Sequence, residues 1–307
     1  MTDADQWQDL VPGEAGDPSV ARTLLDQLLA DSRVYKTTDA YKKLLEFVVR
    51  LRNVAPFNAM LLQLQKPGLT YAASAHDWER RFHREIKDDA RPLLILWPFG
   101  PVATVYDVLD TFDPEHSDAD GLPEDLTTFF STGDITSGRM ESFRQMLERK
   151  RIELRWVDRG DASAGSIQVV EQDNDKEGAS YLLKINQNQP PAVQFTTLVH
   201  ELAHLFLGHI GANKKLNISK RRSLSYSEVE IEAESVAYLV CERNGVTARS
   251  ESYLARFVDD RVSVETIDVY QIMRSAGQVE TILGLTAHTR FPSPENRRNG
   301  SPDSTFG

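Results

Sequence analysis

The segment His200-Glu-Leu-Ala-His204 constrains this chain of 307 residues more than any other feature of its sequence. On an α-helix, residues at positions i and i+4 share a face, so His200 and His204 can bind one divalent cation together. Glu201 then lies beside that cation, where it can take a proton from a water on the metal. The motif therefore predicts a helical zinc site with a general base, which is typical of enzymes that hydrolyse peptide bonds.

The residues around the motif favour a metal site over simple packing. The alternative is an amphipathic helix whose two histidines fill a core face. The flanking residues are apolar on almost every side, which predicts a buried helix: Leu198, Val199, Leu202, Ala203, Leu205, Phe206 and Leu207. Two imidazoles and a carboxylate are costly in such a helix without a partner, and a metal ion is the simplest partner for all three.

A catalytic zinc ion needs a third protein ligand and leaves a fourth position open for water. His209 is the nearest candidate in the sequence. The metzincin pattern is excluded, because Leu207 and Ile210 stand where that pattern requires glycine and histidine. We expect His209 either to end the helix after Gly208 or to line the cleft as a secondary donor.

A second helix, starting near Tyr226, offers a better third ligand. Its apolar residues follow helical spacing: Val229, Ala233, Val236, Ala237 and Val240. Tyr226, Glu230 and Glu234 form one row along this helix, at positions i, i+4 and i+8. We assign Glu230 as the third ligand and Glu234 as the partner of a ligand histidine; the reverse order stays open because sequence does not give the helix phase. Glu228 and Glu232 form a separate row, which we interpret as a solvated acidic face.

These residues predict metal-assisted hydrolysis with a single Zn²⁺ ion as cofactor. The two motif histidines and Glu230 would hold the ion, and Glu201 would carry the proton to the leaving amine. The oxyanion needs a further donor, for which Tyr226 is the first candidate and His209 and Tyr253 are others.

Several strands are expected upstream of the motif. The runs 93–97 and 102–108 are separated by a turn rich in proline and glycine, which predicts a β-hairpin. Strands are also expected at 152–156, 166–170 and 181–185. By analogy with other zinc peptidases, the last of these, extended to residue 186, is a candidate to bind the substrate as an added strand.

The two predicted helices resemble those of the ImmA/IrrE zinc metallopeptidases. Tyr226, Glu230, Ala233, Glu234 and Ala237 fall on that family's Y-x-x-x-E-x-x-A-E-x-x-A pattern. A closer resemblance is to the ArdC-like proteins, which join this peptidase module to an N-terminal domain that binds single-stranded DNA. In the N-terminal half, three features carry the ArdC-like resemblance: the asparagine-containing segment 56–62, Trp78, and the strand 105–108 with Thr111.

The resemblance spans roughly residues 20–112 and 190–285. It implies an α+β fold with a small α/β N-terminal domain and a mainly helical, zincin-like metallopeptidase domain that contains a short β-sheet. It further implies an intracellular peptidase that cleaves a specific regulatory protein, with the N-terminal domain as a sensor or single-stranded-DNA binder. The alternative is a DNA-binding, antirestriction-type protein in which the zinc is structural.

One departure from the ArdC-like pattern bears on DNA binding. The family's basic, glycine-rich turn is replaced at residues 84–91 by a segment with two aspartates and no glycine. The net charge of −11 also argues against a general nucleic-acid binder. Residues 20–112 are nevertheless close to neutral, with 13 basic and 11 acidic residues. The candidate DNA contacts in this region are Lys42, Lys43, Arg50, Arg52 and Asn58. A solvated helix face explains the basic residues equally well.

Composition also predicts where the domains begin and end. We expect an acidic flexible tail, an ArdC-like domain, an acidic linker, a zincin-like domain and a disordered tail, at residues 1–19, 20–112, 113–136, 137–285 and 286–307. No apolar run approaches the length of a membrane span, and the N-terminus lacks the pattern of a signal peptide. The single cysteine, Cys241, suits a reducing compartment. We therefore expect a cytoplasmic protein.

Overall fold

The computed structural model describes six stretches of the chain: residues 38–96, 102–114, 135–158, 165–173, 178–246 and 266–285. The two predicted tails and most of the predicted linker fall outside these described residues, as does Tyr253. The boundaries expected for the domains therefore stay predictions.

The described residues confirm the α+β class, with seven α-helices and three small sheets. The helices are α1 (Thr38–Arg50), α2 (Pro56–Gln65), α3 (Ala75–Phe82), α4 (Ser137–Glu148), α5 (Pro191–Phe206), α6 (Tyr226–Arg243) and α7 (Val269–Ile282). The strands are β1 (Ala72–Ala73), β2 (Glu85–Ile86), β3 (Leu93–Leu96), β4 (Val102–Asp107), β5 (Thr111–Phe112), β6 (Ile152–Val157), β7 (Gly165–Gln172) and β8 (Ala179–Asn186). Among the described helices, none has the length and apolar character needed to cross a bilayer.

The N-terminal half contains two antiparallel sheets. Strands β3 and β4 pair with Leu93 opposite Val105, which confirms the predicted hairpin, and β1 adds to the other side of β4. Strands β2 and β5 form a separate two-stranded sheet. Trp78 on α3 is buried against Tyr71, and its indole N–H donates to the carbonyl of Tyr106 on β4 at 2.9 Å. This hydrogen bond ties α3 to the first sheet.

The C-terminal sheet has the strand order β6-β8-β7. Strand β8 is central, parallel to β6 and antiparallel to β7. The expectation that residues 181–186 accept a substrate strand is therefore wrong, because both sides of β8 already pair within the sheet. Strand β7 is an edge strand of this sheet as far as the structure describes it. Its register against β8 shifts between Val169 and Glu171.

Helix α5 begins at a Pro-Pro pair and carries the histidine motif. Proline suits the first helical position because the N–H that it lacks would have no partner there. The helix ends at Phe206, and Gly208 follows with a φ of 78°. A Cβ at Gly208 would lie 2.7 Å from the carbonyl oxygen of Ser219, so both the turn and the close approach require glycine. His209 consequently lies beyond the end of the helix.

Helix α6 begins with a capping box. The Ser225 hydroxyl accepts the backbone N–H of Glu228, and the Glu228 carboxylate accepts the backbone N–H of Ser225. Glu228 also accepts a hydrogen bond from Arg222 at 2.8 Å. Its interpretation as part of a solvated acidic face is therefore wrong. Its carboxylate accepts a backbone N–H at the start of α6, the helix that also carries the other acids.

The largest hydrophobic cluster crosses the predicted domain boundary. Apolar side chains of α1 and α2 belong to the same cluster as those of α5, α6 and α7. Arg243, at the C-terminal end of α6, is buried at this junction and pairs with Glu280 on α7 at 2.8 Å. Its guanidinium also donates to the carbonyls of Val48, Leu51 and Val54. The N-terminal helices are thus anchored on α6.

We expect Arg243→Ala to lower the free energy of unfolding by about 3–5 kcal/mol, the usual result of removing one partner from a buried ion pair. The change deprives Glu280 of its arginine and three carbonyls of their donor. Arg144→Ala is the matched control, because Arg144 pairs with Glu141 and Glu148 on the exposed side of α4 and such pairs contribute little. Urea denaturation measures both variants. Equal stability of the two would contradict the anchoring role.

Candidate metal centre

Ligand atoms of three predicted residues converge where α5 meets α6. The Nε2 atoms of His200 and His204 lie 3.0 Å apart. The Glu230 carboxylate approaches both, with Oε2 3.6 Å from Nε2 of His200 and Oε1 3.9 Å from Nε2 of His204. One ligand atom from each of the three residues lies within 4.8 Å of the others. The fold therefore brings the histidine motif and the second helix to one point.

These separations suit a tetrahedral ion. At metal–ligand distances of about 2.0–2.1 Å, two ligand atoms on tetrahedral zinc lie about 3.3 Å apart. The imidazole nitrogens are within about 0.3 Å of that spacing, and a small rotation brings a Glu230 oxygen to it. Two imidazoles and one carboxylate are also a donor set found in catalytic zinc sites. The three side chains keep 14–18% of their surface exposed, which leaves access for water.

Glu234 lies on the other side of His200. Its Oε1 is 3.1 Å from Nδ1 of His200, whereas Glu230 faces Nε2 of the same ring. Helix α6 thus contacts one imidazole twice, from opposite sides. This arrangement favours Glu230 over Glu234 as the third ligand, a choice that the sequence left open. A carboxylate at Nδ1 fixes the tautomer of a ligand histidine and raises its basicity.

Polar contacts also continue behind His204. Its Nδ1 lies 3.0 Å from Nδ1 of His209, whose Nε2 lies 3.1 Å from Oε2 of Glu232. Glu232 is fully buried and accepts hydrogen bonds from Arg221 at 2.8 and 2.9 Å and from the Asp268 backbone N–H at 2.9 Å. The interpretation of Glu232 as a solvated acid is therefore wrong. Its carboxylate lies in the interior, where several donors compensate its burial.

The surroundings of the two ligand histidines fit a cation between them. A polar group lies beside Nδ1 of both rings: the Glu234 carboxylate at 3.1 Å for His200 and the His209 imidazole at 3.0 Å for His204. If each ring donates through Nδ1, both Nε2 atoms of the neutral imidazoles are bare. Two bare nitrogens that face each other at 3.0 Å repel unless a positive charge lies between them. The donor set therefore fits a divalent metal ion.

Burial and neighbouring charges shift the pKa values of the two histidines in opposite directions. Burial alone would lower the pKa of His200, but Glu234 and two neighbouring glutamates outweigh it and raise the pKa. Burial, with the proximity of His200 and His209, lowers the pKa of His204 to about 3. His204 consequently stays a neutral imidazole, which is the form that binds a metal.

Glu201 is held at the edge of the neighbouring sheet. Its carboxylate lies near the backbone N–H of Ile167 on β7. The strand comes so close to α5 that a Cβ at Gly165 would lie 2.5 Å from Cγ2 of Thr197 and 3.4 Å from Cγ of Glu201. Burial raises the pKa of Glu201, against the opposing effects of His200 and the Ile167 N–H. A raised pKa brings a carboxylate nearer to the range in which it works as a general base.

The oxyanion candidates differ in their placement. Tyr226 is the first residue of α6 and is 74% exposed, so little packing holds its ring. The His209 side chain is only 3% exposed, and it contacts His204 instead of lining the cleft as a secondary donor. Tyr253 lies outside the described residues. The role of Tyr226 at the oxyanion stays a prediction.

Three of the five candidate DNA contacts lie on one face of α1. Lys42, Lys43 and Arg50 are exposed, but Asp39 and Glu46 are exposed on the same helix. The face is therefore mixed in charge, with a small excess of positive residues.

The other two candidates are engaged within the fold. Arg52 donates to the backbone carbonyl of Glu242 at 2.9 Å, across the junction with α6. The Asn58 amide bonds both the N–H and the carbonyl of Leu96 at 2.9 Å each, which fixes α2 against β3. These contacts give both residues a structural role.

The residues behind His204 are the ones that sequence reasoning missed. One signal was available for Glu232, which stands three residues after Val229 and four before Val236, within the apolar row of α6. That spacing predicts burial. Arg221 lies before the helix and Asp268 is 36 residues beyond Glu232, so no local pattern connects them.

Comparison with known proteins gives limited similarity. No protein-family model matches the chain, and no curated protein sequence matches it. The crystal structure of the antirestriction protein ArdC from the R388 plasmid in its Mn(II)-bound form is 14% identical, with a TM-score of 0.35, over 86% of this chain and 95% of that one. The metal-free ArdC structure is also 14% identical, with a TM-score of 0.30, over 74% and 82%. Similarity at this level leaves the function to be argued from the side chains of the chain itself.

We expect the purified protein to bind about one equivalent of zinc and His204→Ala to lose it, because the variant removes one of two nitrogen ligands of the site. Elemental analysis after dialysis against trace zinc measures the metal content. His76→Ala, which removes an exposed histidine on α3, is the control and should retain the metal. Wild-type zinc content in His204→Ala would rule out the assigned centre.

Proposed function

We propose that this protein is a zinc-dependent peptidase. The observation that carries the proposal is the position of Glu201, which is half-buried next to His200 on α5 and lies against the edge strand β7. A structural zinc site has no use for a half-buried carboxylate of raised pKa that is not among its ligands. A hydrolase needs such a group, because the attacking water must lose a proton.

His200, His204 and Glu230 are the residues that would hold the ion. When bound, zinc would polarise the scissile carbonyl and lower the pKa of water towards about 7. Glu201 takes the proton of the attacking water and later delivers it to the leaving amine. Strand β7, which approaches α5 closely at Gly165, lies beside this carboxylate.

The edge of β7 supports a peptide as substrate. Its pairing partner is β8, and its opposite edge runs past Glu201. An extended peptide that adds to this edge would bring its own carbonyl groups to the metal ligands. The exposed Val169 and Val170, at the register shift, offer apolar surface to the side chains of such a peptide. The substrate we propose is therefore an extended segment of a protein, and by family resemblance that protein is a regulator.

We expect Glu201→Gln to retain zinc and to lose hydrolysis by a factor of about 10²–10⁴, because glutamine keeps the size of the side chain but accepts no proton. The zinc-loaded protein is incubated with a peptide library, with and without single-stranded DNA, and new peptide termini are identified by mass spectrometry. Glu79→Gln, an exposed change on α3, is the control and should cleave like the wild type.

Cleavage by Glu201→Gln at the wild-type rate would remove the assigned general base. A protein that holds zinc while wild type and Glu201→Gln are equally inactive under both conditions would instead favour a structural metal. The second outcome corresponds to the DNA-binding, antirestriction-type alternative.

The N-terminal region is proposed as a sensor of single-stranded DNA. Its helices pack on α6 and α7, so a ligand bound there would act on the helix that carries Glu230. Lys42, Lys43 and Arg50 supply the exposed positive charge on α1. Phosphate contacts of this kind are sequence-independent and sensitive to salt.

We expect the double variant Lys42→Glu/Lys43→Glu to bind a fluorescent single-stranded oligonucleotide more weakly than the wild type. The slope of log affinity against log salt should fall by about 0.7 for each phosphate that the variant no longer neutralises. Arg149→Glu/Lys150→Glu is the matched control, because it reverses an adjacent exposed pair at the end of α4. Identical titrations for the two double variants would exclude the α1 face as the DNA site.

A further inference from the structure

His204 and His200 differ in the chemical group that lies beside Nδ1. Nδ1 of His200 lies 3.1 Å from the carboxylate of Glu234, whereas Nδ1 of His204 faces another imidazole nitrogen, Nδ1 of His209, at 3.0 Å. Two imidazole nitrogens at this distance share one proton. Whichever ring donates that proton decides which nitrogen of His204 is free for a metal.

Glu232 sets the direction of this hydrogen bond. A carboxylate only accepts, so Nε2 of His209, 3.1 Å from Glu232, must carry a proton. The Nδ1 of a neutral His209 is then bare and can only accept. His204 consequently donates through Nδ1, and its Nε2 is left bare, 3.0 Å from Nε2 of His200.

The carboxylate that sets this direction is fixed as an anion. Glu232 accepts hydrogen bonds from the Arg221 guanidinium at 2.8 and 2.9 Å and from the Asp268 backbone N–H at 2.9 Å, which are the contacts of an ionised carboxylate. The Glu232 side chain is inaccessible to solvent and Arg221 is nearly so, so water does not compete for these contacts. With His209 neutral, the chain Arg221–Glu232–His209–His204 has one consistent arrangement of protons.

We propose that His209 and Glu232 are positioning residues that fix the tautomer and the ring orientation of His204, and thereby set the metal affinity of the site. The proposal rests on the metal centre assigned above. Neither residue is among the three assigned ligands, and both are connected to them through His204. Contacts of this type commonly account for a factor of 10–100 in metal affinity.

Two substitutions at position 209 separate the hydrogen-bond acceptor from packing. His209→Leu removes the acceptor, and we expect the dissociation constant for zinc to rise 10–100-fold. His209→Asn keeps an acceptor, because its Oδ1 is attached to Cγ as the imidazole Nδ1 is, and we expect it to recover most of the lost affinity. The constants are measured on the full chain by competition with a chromophoric chelator, and circular dichroism confirms that each variant is folded.

Leu239→Ala is the control for loss of stability alone. Leu239 is fully buried on α6 and lies outside the chain of contacts, so this variant should be less stable than the wild type and bind zinc equally well. Wild-type affinity in His209→Leu would overturn the proposal. An equal loss in His209→Leu and His209→Asn would also overturn it, since the acceptor would then be irrelevant.

The tautomer itself is measurable in the metal-free wild-type protein by nitrogen NMR of the imidazoles, whether or not the variants fold. The proposal requires a proton on Nδ1 of His204, and a proton on Nε2 in its place would overturn it. These measurements do not depend on hydrolysis. A protein that bound zinc with the expected tautomer and cleaved no peptide would refute the proposed peptidase while supporting the role of His209 and Glu232.

Discussion

The rest of the site depends on one constraint: the Nε2 atoms of His200 and His204 face each other on one side of α5. The Nε2 atoms of His200 and His204 lie 3.0 Å apart, and a polar side chain lies beside Nδ1 of each ring. Helix α6 supplies both supports, directly from Glu234 and through His209 from Glu232. Two faces of α6 therefore influence the two imidazole rings of α5. The packing of α5 against α6 is thus itself what defines the metal geometry.

The four acidic residues in the first turns of α6 have different electrostatic surroundings. Glu228 closes the capping box, Glu230 faces the metal position, Glu232 lies in the interior and Glu234 orients His200. Glu228 and Glu232 are paired with different arginines, whereas Glu230 and Glu234 approach opposite nitrogens of the His200 ring. Arg221 and Arg222, just before the helix, compensate the two acids on the inner side. The two arginines before α6 and the acids of α6 are therefore joined by ion pairs.

Much of this could be predicted from the sequence. The motif at 200–204 fixed a helix and two ligands because i, i+4 spacing is a local property, and the hairpin of β3 and β4 followed from its turn. The choice between Glu230 and Glu234 required the rotation of α6 about its axis, which only packing determines. The apolar spacing of α6 was consistent with a buried residue at position 232. Because glutamate is charged, Glu232 was instead interpreted as a solvated acid, and it is buried. The edge position of β7 depended on strand order, which no local pattern encodes.

Arg243 has a consequence for how this chain can be divided. Glu230 and Arg243 stand on the same helix, 13 residues or about 20 Å apart. The arginine donates to one carbonyl in the last turn of α1 and to two in the stretch between α1 and α2. A fragment that began after residue 136 would leave that guanidinium facing carbonyls that no longer exist, and it would uncover the apolar sides of α6 and α7. The C-terminal half thus shares its core and a buried ion-pair junction with the N-terminal helices.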